Sequence, residues 1–576
     1  MNGACKTDKY LTRLTKYTIA STFCVVVLLS WVSAAFAQTV PGSADAGRIK
    51  AQPENILPPK SSPQLILPET FAPEVPIPDG AADMTFVLKH VVIKGMSAFS
   101  PEEMEDIYKP LLGQEIQLSR IWEFAGHLTE RYQREGYFLS RAYVPAQEIG
   151  SGMVTLRVIE GYVGDVQIEG ERTDNYLVDM LERRIIGQKP AKLADLERSL
   201  LLLGDIPGRS FESILGRMDE GAPEGAVRLI LKESKADGRG SLLLNNQGSR
   251  FTGPHRMSFA YEDSFLPNQS TALSGLASAL PVGNELWAVS ATHEIKILPE
   301  VQLEFSLGRT VSRPGYTLAV NDIESCSSNW GVKLDWQVIR QRPKNINFAL
   351  ALDGSNVNTD ILGTPLTRDR IRAVRLSGSY DGADPLHGYN ALNMTVSWGI
   401  TGLDASAPGE LNLSRADAKP NFTKLEATWQ RSQFIAADWM GVTTITGQRA
   451  SKALYSSEEF GFGGPSLGRA YDASEITGDH GVGGAVEVQY MGIEPVKEIK
   501  LTPSIFYEIG KIWNIDDGQP DGLSIADAGI GLNIAHPSGL SGTLTIAQPL
   551  TKPIDTSTYG NNGNNPRLYF QLGWAF

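Results

Sequence analysis
"RLYFQLGWAF" (residues 567–576), the last ten residues, alternates in character at every position. Leu568, Phe570, Leu572, Trp574 and Phe576 fall on one side of an extended chain; Arg567, Tyr569, Gln571, Gly573 and Ala575 fall on the other. Successive side chains of a strand point to opposite faces, so this is a strand with one apolar face. The pattern recurs upstream. In "WGVKLDWQV" (330–338) Trp330, Val332, Leu334, Trp336 and Val338 share a face against Gly331, Lys333, Asp335 and Gln337. "VQLEFSLG", "INFALALD", "LNMTVSWGI", "AVEVQY" and "AGIGLNIA" read the same way, with Gly, Asn, Asp and Pro between them. The roughly 340 residues after position 238, at about 21 per strand and connection, predict about 16 strands.

So many half-apolar strands leave exposed edges unless the sheet closes on itself. A soluble, water-filled barrel would set its apolar outer face in water, whereas in a membrane that face meets lipid and the polar face lines the bore. The expected fold class is therefore a transmembrane antiparallel β-barrel over 236–576, with a soluble β-sandwich as the competing reading. The final strand closes the cylinder against the first. Its aromatic residues Phe570, Trp574 and Phe576 are the expected C-terminal signal to the barrel assembly machinery.

The chain has 576 residues, too many for one ordinary domain. Its formal net charge of -13 argues against nucleic acid as the partner. Lys6, Lys9, Arg13 and Lys16 precede the apolar "FCVVVLLSWVSAAFA", and Ala35-Phe36-Ala37 fits a cleavage site. Residues 1–37 are the expected signal peptide, which removes Cys5 and Cys24 and leaves Cys326 in the mature chain. With an outward-apolar barrel, export places the protein in a bacterial outer membrane.

Residues 38–83 are proline-rich and read as an extended linker, with room for a short helix near 43–52 before Pro53. From residue 84 the texture changes. "FVLKHVVIKG" is a strand; Ser100, Pro101 and Glu103 open a helix with a capping box. A second helix presents Ile121, Ala125, Leu128 and Tyr132 on one face and ends at Gly136. Strands "SRAYVP" and "MVTLRVIEG" complete a βααββ order, which repeats from "VGDVQIEGE" to "AVRLILKES". The expected units are 84–161 and 162–235.

On "GYFLSRAYVPAQEIGSGMVTLRVIEGYVGDVQIEG" (136–170) the chain resembles the two-partner secretion transporters, the haemolysin secretion and activation family within the POTRA-barrel superfamily. The resemblance implies two periplasmic POTRA modules below the barrel. It also implies a long loop near 460–482 that folds back into the lumen. "FGFGGPSLGRAYD" supplies that loop's tip, with Gly463, Gly464 and Gly468, then Arg469, Tyr471 and Asp472. Alanine follows Arg469 where many members have glycine. The implied acidic partner lies in "SIFYEIGKIW", where Phe506, Glu508 and Gly510 match the family setting. Periodicity agrees: with Ile505, Tyr507 and Ile509 toward lipid, Glu508 faces the lumen, because a lipid-facing carboxylate at mid-depth costs a few kcal/mol. Family members often carry an N-terminal helix inside the barrel.

The function implied by the resemblance is an outer-membrane transporter for a large secreted partner protein, bound through its N-terminal secretion segment, with no nucleotide, cofactor or metal. Ser140, Arg141, Tyr143, Pro145 and Phe211 are the expected client contacts, through strand addition at a sheet edge. A barrel-assembly factor, a passive porin and a secreted enzyme remain as alternatives. Gly464-Pro465-Ser466-Leu467-Gly468 matches G-x-S-x-G, but a nucleophile elbow needs a strand-to-helix turn and triad partners. "DDGQPDG" (516–522) lacks the late glutamate of a calcium loop and reads as a turn.

Overall fold
The computed structural model describes residues 40–49, 57, 65–66, 77–78, 80–149, 151–170, 174–278, 285–496, 498–515, 522–552 and 563–576. The expected signal peptide, most of the linker and all of "DDGQPDG" except Gly522 lie outside these residues.

Sixteen antiparallel strands close into a barrel. They are β1 (Arg239–Asn245), β2 (Arg256–Asp263), β3 (Gln269–Ser278), β4 (Leu286–Leu298), β5 (Val301–Ser312) and β6 (Ile323–Arg340). Then come β7 (Lys344–Ile361), β8 (Thr364–Ala383), β9 (Gly388–Gly399), β10 (Thr423–Ala436) and β11 (Trp439–Ala450). β12 runs His480–Tyr490 and resumes at Ile493–Val496; both parts pair with β13 (Ile499–Trp513). β14 (Leu523–Ala535), β15 (Leu540–Pro549) and β16 (Arg567–Ala575) complete the cylinder. Outward rows are apolar and inward rows polar: Ile505, Tyr507 and Ile509 are 60%, 46% and 49% exposed, whereas Glu508 between them is 1% exposed.

β16 pairs with β1 from Ser241–Ala575 to Asn245–Gln571, a short ladder beside that of β7 and β8, which extends from Lys344–Gly382 to Ile361–Thr364. Both ends of the seam are reinforced. Phe576 and Gly240 exchange backbone hydrogen bonds of 2.9 and 2.7 Å. Above the ladder Asn246 N donates to Phe570 O, and the Asn246 side chain donates to Leu568 O and accepts from Phe570 N.

Below the barrel, the first module holds a sheet of His90–Lys94, Met153–Ile159 and Arg141–Tyr143 beneath α1 (Arg120–Arg134). The expected first helix is instead a 3-10 helix, Pro101–Ile107, with its capping box formed, and Pro110 soon follows. The single strand expected at its start is broken into Thr85–Val87 and His90–Lys94. Leu88, Met104, Ile121, Phe124, Leu128, Tyr132 and Leu156 form the core. Glu160 closes the module by accepting from Ser97 N, Ala98 N and the Tyr132 hydroxyl at 2.7, 2.8 and 2.7 Å. Burial pushes its carboxyl up, but these donors hold it below the ordinary value.

In the second module Tyr162–Gly170, Arg209–Arg217 and Ala226–Lys235 lie beneath α2 (Tyr176–Ile186) and α3 (Leu193–Gly204). Leu65–Ile66 adds to the sheet as a parallel edge strand beside Ser213–Ile214. The module is docked on the barrel rim. Arg340 binds Asp205 through Nε and Nη2 at 2.8 and 2.9 Å, and Arg198 donates to Val338 O. Burial pushes the Asp205 carboxyl up, while Arg340 and Lys296 hold it below the usual range.

Residues 40–49 lie inside the lumen. Ser312 donates to Ala44 O (2.9 Å), Thr310 to Ile49 O (2.8 Å) and Ser456 to Asp45 Oδ2 (3.0 Å), and Arg48 pairs with Glu459 at 3.0 Å. The helix expected near 43–52 does not form over the described part; the segment makes two successive turns. Asp45 accepts from Gly47 N, a local bond that competes with helical pairing.

Candidate functional site: the lumen loop
Between β11 and β12 the chain dips into the bore over residues 451–479. Two limbs, Phe460–Phe462 and Ile476–Gly478, pair antiparallel. The Phe462 ring lies on a floor made by Gly483 of β12 and Gly510 of β13, which are register partners. A Cβ at Gly510 would stand 2.2 Å from the ring, so no side chain is accommodated there. At the tip, Gly463, Gly464 and Gly468 hold φ of +119°, +113° and +85°, values that L side chains rarely adopt. Gly463 N donates to Leu467 O and Gly464 N to Gly468 O. The G-x-S-x-G stretch is therefore a glycine hairpin and not a strand-to-helix elbow; Ser466 lines a cavity of about 350 Å³ beside Thr543 and Gln571.

Arg469 and Glu508 meet. Nε donates to Oε1 at 2.9 Å, and the backbone N–H groups of Gly468 and Arg469 both donate to Oε2 at 2.7 Å. The carboxylate thus holds the loop backbone as well as the guanidinium. Arg469 also reaches Glu487 of β12 at 2.7 Å and stacks 3.4 Å over the Phe506 ring. Ala470 is buried with an ordinary negative φ, so alanine fits after the arginine. The Tyr471 hydroxyl lies 3.1 Å from Ala526 O and from Lys552 O. Asp472 does not join Arg469 and Glu508. It pairs with Arg567 of β16 at 2.7 Å, both side chains almost fully buried, and Arg567 also donates to Ala470 O.

Three of these residues escaped the sequence reading. Glu487 follows the same parity rule as Glu508, being the inward acid of "AVEVQY". Arg567 stands on the polar face of the terminal strand. Asp527 of β14, fully buried, lies directly across the ladder from Glu508.

The expected client residues are dispersed. Ser140 and Phe211 are buried, Ser140 accepting from Gly161 N and Phe211 packing in the second module's core. The Arg141–Tyr143 edge is covered: Ala142 N donates to Thr129 Oγ1 of α1 at 2.9 Å. Beyond Pro145, which has no N–H, the Gln147 amide occupies both backbone groups of Thr155. Of the terminal aromatics, Trp574 and Phe576 are about half exposed, and Phe570 packs 6.4 Å from the His255 ring.

Residues 86–161 match the POTRA domain of ShlB type, and residues 301–534 match the haemolysin secretion/activation protein family ShlB/FhaC/HecB. The chain belongs to the haemolysin secretion/activation family. It is similar to the heme/hemopexin transporter protein HuxB of Haemophilus influenzae, 22% identical over 79% of this chain and 82% of that protein. The outer membrane transporter CdiB of Dickeya dadantii is 21% identical over 79% and 83%. The solved structure of CdiB from Escherichia coli superposes with a TM-score of 0.68 at 17% identity, covering 88% of this chain and 94% of that one. The transporter is an outer-membrane protein of two-partner secretion with its modules in the periplasm, and it works with a large secreted partner protein.

Proposed function
We propose that the transporter captures an extended N-terminal segment of its partner at the second module and passes it through a bore whose opening depends on release of the Arg469 loop. The observation that carries this is the loop tip itself, held in the lumen by Glu508 through three hydrogen bonds at once. Client capture is assigned to the strand Arg209–Arg217, which is long and already accepts a strand, Leu65–Ile66, at its edge. An arriving client segment takes that place, and main-chain pairing suits an extended partner of varied sequence. The first module's covered edge is excluded from this role. Trp574 and Phe576 are assigned to recognition by the barrel assembly machinery.

Two experiments test the reading. A photoreactive residue at exposed Glu212 crosslinks the partner protein during secretion, whereas one at Arg141 does not; the reverse result refutes the assignment. Deleting the transporter removes one large exoprotein from the medium and cell surface with other barrel proteins intact. Widespread loss of barrel proteins would identify an assembly factor instead.

A further inference from the structure
The second module meets the barrel rim through two unlike surfaces. On the α3 side the contacts are charged: Asp205 with Arg340, Glu197 with Arg342 and Arg198 with Val338 O. On the α2 side they are neutral at the helix start and leave apolar side chains uncovered. Asn175, which caps α2 through Leu177 N, donates to Asn268 in the turn between β2 and β3 at 2.6 Å. The Tyr176 hydroxyl reaches Lys296 O and Ile297 O at the foot of β4. Two turns along, Arg184 pairs with Glu300 in the next periplasmic turn. Tyr176, Met180 and Arg184 stand four residues apart, so Met180 faces the rim between two anchored neighbours.

Around this junction Phe265, Leu266, Ile297 and Leu298 are 76%, 56%, 41% and 46% exposed, Tyr176 is 50% and Met180 38% exposed. Ile297 and Leu298 lie at the β-bulge that ends β4 and are exposed like Val289 of its outward row, so the patch continues the barrel's lipid-facing surface. Elsewhere on the rim, Leu386, Ile435 and Val496 are likewise exposed, which sets the rim at the level of the membrane boundary. Such a patch suits neither water nor the charged α3 side. We propose that α2 is an interfacial helix whose Tyr176 and Met180, with Phe265, Leu266 and Leu298, rest in the headgroup–acyl boundary of the periplasmic leaflet. Exposed Arg183, on the same helix, receives lipid phosphate. The partner is phospholipid.

The test places p-benzoylphenylalanine at Met180 of the full-length transporter in cells with radiolabelled phospholipid, followed by irradiation. Leu334, in the lipid-facing band, is the positive reference, and Met153, half exposed on the first module, is the negative one. The expected result is a labelled lipid adduct at 180 about tenfold above that at 153. Arg183, probed in the same way, gives the second reading should the change at 180 impair folding, and it too yields lipid. Yields at 180 and 183 no greater than at 153, with the adduct at 334 present, overturn the proposal while leaving the outer-membrane assignment intact. A protein adduct at 180 in place of lipid also overturns it.

Discussion

Two pieces of the chain fill the bore, and they are held by different forces. Residues 40–49 are tied by bonds from the Ser312 and Thr310 hydroxyls to backbone carbonyls, by a bond from Ser456 to the Asp45 carboxylate, and by the Arg48–Glu459 ion pair. The loop tip at 463–475 is anchored at both ends, seated on glycine, and bound by Glu487, Glu508 and Arg567 from three separate strands. A neutral hydrogen bond contributes about 1 kcal/mol net, whereas breaking one side of a buried ion pair costs about 3–5 kcal/mol. The N-terminal segment is therefore a removable filling, and the tip is a brace that leaves only when its charges are re-paired together.

The strongest way to break this contrast is Glu508→Ala. It leaves two loop N–H groups without their charged acceptor and takes one of Arg469's two carboxylates, Glu487 remaining, so the seated tip loses about 3–5 kcal/mol, or more than about 100-fold in population. Secretion of the partner should collapse while the barrel still migrates as a folded, heat-modifiable band. Arg469→Ala should be comparable: the shared charge leaves Glu487 and Glu508 together, while the backbone donors of Gly468 and Arg469 remain on Glu508. Undiminished secretion from both variants would remove the loop from the mechanism.

Arg567→Gln comes next. Glutamine keeps a donor near Asp472 but withdraws the charge, so roughly 1–3 kcal/mol is lost. A several-fold drop in secretion is expected, less than for Glu508→Ala. Equal losses would show that the tip responds as one unit and not as separable contacts. Removing residues 40–49 should act differently: conductance in planar bilayers rises, since the bore loses its filling, while secretion changes little.

Much of this contrast was legible in the sequence, because lipid imposes its alternation directly on side-chain parity. Parity alone turned Glu508 inward, and the same rule applied to "AVEVQY" would have turned Glu487 inward too. What parity cannot give is register. Arg567 and Asp472 lie far apart in sequence, and only the depth of the loop, set by Phe462 on Gly483 and Gly510, brings them together. Local competition explains the other departures. Asp45 bonds Gly47 where a helix was expected, and "PEEMEDI" tightens into a 3-10 turn ahead of Pro110.

The smallest expected effect sharpens the comparison most. Arg48 is the segment's counterpart of Arg469 by charge, yet its partner is not left alone when it goes. Glu459 also binds Arg415 at 2.9 Å, and Arg415 holds Asp479 at 2.6 Å. Arg48→Gln thus removes an attraction without exposing a buried carboxylate, and the cost should be about 1 kcal/mol. Arg415→Gln withdraws the shared charge from Glu459 and Asp479 together and should cost several times more, although Arg415 belongs to the connection between β9 and β10 and not to the N-terminal segment. The fraction of time spent at high conductance in planar bilayers reads both. A small rise for Arg48→Gln beside a large one for Arg415→Gln fits a segment held by many weak bonds; a rise for Arg48→Gln equal to that of the 40–49 deletion would make a single ion pair its anchor and erase the distinction from the loop tip.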